Sequence, residues 1–153
     1  MKKCAAAALL ALLLCLAGCG KTEKVPIDQY TWRLRSVQGE DGAVVACAPE
    51  QSELYDGAPA VVTMTCEAEA GALTLTDADS GACYTGTYQT EQTDPESTLY
   101  TIKLDDTAGH AVSAMTTYQD GSQRPTLIFS LGDYTLNFQS VSSEESSTET
   151  QAG

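Results

Sequence analysis

Between its two ends this chain of 153 residues encodes an all-β domain: a single antiparallel meander of eight or nine strands, closed into a small barrel. Three observations predict it. Apolar residues recur with period two rather than 3.6 from residue 30 to residue 139. Turns bearing glycine and aspartate separate many of the runs. Threonine, a residue suited to a pleated and half-wet surface, occurs 19 times. Closure follows from strand number, because an open antiparallel sheet of this size leaves two edges that a barrel removes.

The elements follow in order. "YTWRLRSV" alternates Tyr30, Trp32 and Leu34 against Thr31, Arg33 and Arg35. "PEQSELYDGAP", residues 49 to 59, interrupts the pattern and is expected to be a loop carrying one helical turn. "AVVTMTC" sets Val62, Met64 and Cys66 on one face, and "ALTLTD" does the same with Leu73 and Leu75. "ACYTGTYQ", "TLYTIKL", "HAVSAMTTY", "TLIFSL" and "YTLNFQ" complete the series. "EAEAG", "DADSG", "DDTAG", "QDGSQRP" and "LGDY" are the turns between them. Trp32 is expected to be buried near the start of the barrel among Leu34, Leu75, Ile102, Phe129, Leu136 and Phe138.

The ends read differently. Met1, Lys2 and Lys3 precede an apolar run from Cys4 to Ala17, a charged n-region and an h-region of secretory length. That run is short for a membrane span. It closes on Leu16-Ala17-Gly18-Cys19, which resembles the lipobox of bacterial lipoproteins over all four positions. The resemblance implies that residues 1–18 are a signal peptide cut after Gly18. It also implies a diacylglyceryl thioether on Cys19 and acylation, of the palmitate type, at the new amino terminus. Two such chains hold a protein on a membrane where one does not. The protein is then expected at the cell membrane, lipid-anchored and facing away from the cytoplasm. Residues 19–28 read as a lipidated tether, 29–141 as the barrel and 142–153 as a disordered tail of serine, threonine and glutamate.

After that cut the chain keeps 21 acidic residues against six basic ones, a balance near −15. Such a surface repels nucleic acid, whose binding depends on neutralised phosphates. Cys4 and Cys15 would leave with the signal, so Cys47, Cys66 and Cys83 remain beside the anchor cysteine. A Cys47–Cys66 disulfide between sequential strands and a set of free thiols are both open. Strand parity sets Cys66 inward and Cys83 outward, with a strand between them, which separates that pair beyond disulfide reach.

Chemistry is sparse. His110 has no sequence neighbour to orient it as a base or metal ligand. Asp77 and Asp79 are spaced as a calcium loop begins, but Gly81 comes one place early and Tyr88 stands where a glutamate is needed. No nucleophile elbow, phosphate loop or zinc-protease helix motif occurs. No enzyme, metal or cofactor is expected. Tyr84, Tyr88 and Tyr100 lie on neighbouring strands, where they would either fill the core or line a wall offering hydroxyls inside an apolar pocket.

In pattern the domain resembles the lipocalin-like barrels, with a tryptophan early in the first strand that in the family plugs the closed end. Tyr30 stands where the family has glycine. "GDY" at 132–134 echoes a second motif, too near the domain's end for the family's order. The resemblance implies that a late arginine, here Arg124, caps Trp32. The leading expectation is a barrel that binds a small amphiphile or a loop of another envelope protein. The alternative is a structural or accessory envelope lipoprotein with a fully packed core.

Overall fold

The computed structural model describes residues 23–57 and 59–141. The expected signal peptide over 1–18, Cys19 and the expected tail from residue 142 lie outside the described residues. Ten strands form: β1 (Trp32–Gln38), β2 (Val44–Cys47), β3 (Ala60–Val61), β4 (Met64–Glu69), β5 (Ala72–Asp77), β6 (Cys83–Thr93), β7 (Ser97–Leu104), β8 (Thr107–Thr117), β9 (Gln123–Leu131) and β10 (Tyr134–Ser140). Short 3-10 segments span Ile27–Gln29 and Pro49–Leu54. The second is the expected turn in the 49–59 loop, with Pro49 opening it, where a missing N–H costs nothing.

Eight strands close the barrel. β4 to β10 follow one another as antiparallel neighbours, β10 pairs along β1, and β1 returns to β4 through Trp32 opposite Cys66. The expected meander is therefore present, with β2 and β3 as an insertion between its first two strands. They lie beyond β4 on the same edge of β1, where Ser36 faces Cys47.

One irregularity sorts the side chains of β1. Its register against β10 shifts between Leu34 and Ser36, a bulge at Arg35. An extra residue there leaves Arg35 and Ser36 both outside and brings Val37 back to the core. Ser36 Oγ accepts from Asn137 Nδ2 at 3.3 Å across the outer face. The strict alternation expected of "YTWRLRSV" thus holds only as far as Leu34.

Inward residues fill the barrel. Trp32, Leu34, Leu73, Leu75, Ile102, Leu127, Phe129 and Phe138 are all fully buried. Phe129 and Phe138 pack at 5.2 Å between ring centroids. Leu136 packs against this cluster while partly exposed. An eight-stranded barrel has an interior just wide enough for its side chains, and here they occupy it.

The core has a contributor that the sequence reading places in the tether. Val25 and Ile27 are buried in the same cluster. The extended tether over 19–28 is therefore corrected from Val25 onward, because these two apolar side chains close one end of the barrel. The cysteines also differ from one of the two open readings. Cys47, Cys66 and Cys83 are free thiols, the first two buried and the third exposed. Cys66 belongs to the central cluster and Cys47 does not. They pair with β1 four residues apart, at Trp32 and Ser36, about 13 Å along a strand and beyond disulfide reach.

Burial pushes the Cys66 thiol up to about 12, with the Glu67 charge adding to it. A proton held more tightly when folded stabilises the fold fully below the ordinary thiol value of 9.0 and is lost as pH climbs towards 12. Thiol titration at pH 8 of the native chain of residues 20–153 should accordingly find Cys83 reactive and Cys47 and Cys66 silent until the chain unfolds. Rapid modification of Cys66 in the native state would contradict this packing.

Candidate functional site

The two ends of the barrel differ. At one end lie the start of β1, the close of β10 and the turns β4–β5, β6–β7 and β8–β9. Both described termini leave here, and Val141 N–H donates to the Thr31 carbonyl at 2.9 Å. This end is plugged. Ile27 N–H donates to the Tyr100 hydroxyl at 3.1 Å, and Trp32 Nε1 donates to the Ile27 carbonyl at 2.8 Å. Ser113 Oγ donates to the Val25 carbonyl and lies 3.3 Å from the Tyr100 hydroxyl. A buried segment must pair its backbone groups, and these side chains supply partners that no strand offers.

The opposite end is open. Two hairpins rim it, each a two-residue loop: Asp105-Asp106 between Leu104 and Thr107, and Gly132-Asp133 between Leu131 and Tyr134. Both loops begin at positive φ, 48° at Asp105 and 55° at Gly132, as tight hairpins require. With β1 they surround a cavity of about 600 Å³ lined by Val37, Leu104, Asp105, Thr107, Leu131 and the 132–136 segment. Leucines make its floor and Tyr134, 53% exposed, stands at its rim. The hollow is apolar with a few polar groups at the edge, the make-up of a small-molecule site.

The tyrosines singled out from the sequence do not line it. Tyr100 is buried, with its hydroxyl committed to the plug. Tyr88 packs edge-on against it at 5.9 Å, and burial raises the Tyr88 phenol above its ordinary value. Tyr84 pairs with Leu75 near the start of β6 and is 39% exposed. The wall of hydroxyls is thus replaced by two core tyrosines and one near the surface. The missed residues carried a signal: "KLDDT" and "SLGDYTL" each place a leucine directly before a two-residue turn at the same barrel end.

The other candidates lie outside this cavity. His110 Nδ1 lies 3.6 Å from Glu91 Oε2, and both are exposed. Asp77 accepts the Asp79 N–H at 3.1 Å and the Ser80 hydroxyl at 2.5 Å, so its carboxyl, held below the usual range, organises its own turn. Among the described residues no three His, Cys, Asp or Glu side chains converge as a metal set. Arg124 pairs with Thr116 and is exposed on the outside, so the capping role is corrected: the indole of Trp32 is held by the Ile27 carbonyl.

Comparison of the chain with family models, with curated proteins and with solved structures returns no match.

Proposed function

We propose that this protein is a lipid-anchored, extracytoplasmic barrel that binds a small amphiphile at its open mouth. The carrying observation is the 600 Å³ apolar cavity between the two hairpins, at the end opposite the exit of both described termini. Burial of apolar ligand surface in such a hollow supplies the driving force, and the Tyr134 hydroxyl at the rim offers the polar end a hydrogen bond. The lipobox gives the address. With the plug beginning at Val25, only six residue steps separate it from Cys19, about 20 Å of extended chain. The barrel would ride close to the bilayer with its mouth turned away.

The packed interior favours a second reading, an accessory lipoprotein that acts only through its surface. One set of experiments separates them. Cys19→Ala should block processing and abolish acyl labelling; unchanged labelling would end the lipoprotein reading. The mature chain, produced without its signal peptide and carrying the same substitution, should take up a fluorescent fatty-acid analogue. Tyr134→Asp, which removes an aromatic ring and adds a carboxylate to Asp105 and Asp133 at the mouth, should weaken uptake about tenfold or more while melting is nearly unchanged. No uptake by the parent protein would leave the accessory reading.

A further inference from the structure

Charge is distributed unevenly between the two ends of the barrel. Four turns lie at the mouth, β1–β2, β5–β6, β7–β8 and β9–β10, because antiparallel neighbours reverse at alternate ends. Every one of them carries carboxylates: Glu40 and Asp41, then Asp79, then Asp105 and Asp106, and last Asp133. The described residues include five lysines and arginines, and four of them, Lys24, Arg33, Arg35 and Arg124, lie towards the plugged end. The fifth, Lys103, has its Nζ 3.9 Å from Asp106 Oδ1 and does not line the cavity.

The cavity itself repeats this bias. Asp105 and Asp133 border it, and among the described residues no lysine, arginine or histidine does. Val37, Leu104, Leu131 and Leu136 supply its apolar surface. The two hairpins fix that order. Each sets a leucine of the core cluster directly before a tight turn, and the turn then carries the aspartate.

We infer that the ligand of this mouth is a cationic amphiphile, an amine or quaternary ammonium head on a short apolar body. The inference rests on the reading of the mouth as the binding site and adds the sign of the ligand's charge. An anionic head would sit beside two carboxylates with no base lining the hollow to meet it. That repulsion grows where apolar walls lower the local dielectric. A cationic head is attracted by both carboxylates, and Tyr134 adds an aromatic ring, whose face also attracts cations. The carboxylates of the four turns raise the local concentration of cations before any contact is made.

Calorimetric titration of the chain of residues 20–153 tests this with three probes of one tail length: decyltrimethylammonium, decanol and decanoate, each below its micelle concentration. The ammonium should bind about tenfold or more tighter than decanoate, with decanol between, and the gap should narrow as salt is raised. Asp105→Asn/Asp133→Asn should reduce the gap to about threefold or less and leave decanol binding unchanged. Asparagine tolerates the positive φ of position 105 as aspartate does, so the hairpin keeps its turn. Three results would overturn the inference and leave the mouth a binding site: decanoate bound as tightly as the ammonium, a gap indifferent to salt, or a gap unaltered in a double variant of native melting. No saturable binding of any probe would remove the reading of the mouth, and the inference with it.

Discussion

Trp32→Ala should destabilise the barrel by about 3–5 kcal/mol, the range for a large aromatic lost from a packed core. For a domain of this size the melting midpoint falls by roughly 10 °C or more. Two losses combine. The ring is fully buried, 5.3 Å from Tyr30 between centroids, so truncation opens a cavity. Its Nε1 also donates to the Ile27 carbonyl, which would stay buried without that partner. Trp32→Phe keeps part of the packing and should fall between. A Trp32→Ala chain that melts within a degree or two of the parent would show that the plugged end is not packed as described.

Ile27→Ala should cost about 2–5 kcal/mol, an unusual effect for a residue that precedes every strand. Ile27 is 1% exposed, and its backbone is tied by its N–H to Tyr100 and by its carbonyl to Trp32. Were the segment an extended tether, the same substitution would change stability by no more than about 0.5 kcal/mol. Denaturant unfolding of the single variants and of Trp32→Ala/Ile27→Ala distinguishes the two. Because the residues touch through one hydrogen bond, their effects should not add.

The plug shows what a one-dimensional pattern omits. Val25 and Ile27 flank Pro26 with no periodicity around them, and their backbone partners are side chains 88 and 73 residues away. Only the closed barrel brings those groups together. The strands were legible because burial on one face imposes alternation: Leu73 and Leu75, Leu127 and Phe129, and Leu136 and Phe138 each skip one residue. β2 and β3 are four and two residues long, too short for alternation to identify, and β3 runs parallel to β2.

Parity alone could not find the site either. Tyr88 and Tyr100 share the inward face, but alternation does not say how far along the axis each one lies. That height decides the difference between plug and mouth. Tyr100 sits beside the incoming chain, while Leu104, four residues on, lines the cavity. The turns hold the missing information, since a strand residue next to a tight hairpin must lie at a barrel end.

Paramagnetic broadening by a spin-labelled stearate tests binding at the mouth most directly, read on the amide signals of the Cys19→Ala mature chain. Broadening is expected to centre on Leu104, Leu131, Tyr134 and Leu136, with Val25, Ile27, Trp32 and Tyr100 little affected. Broadening centred on Tyr100 and the plug, or none at any concentration of the label, would contradict it.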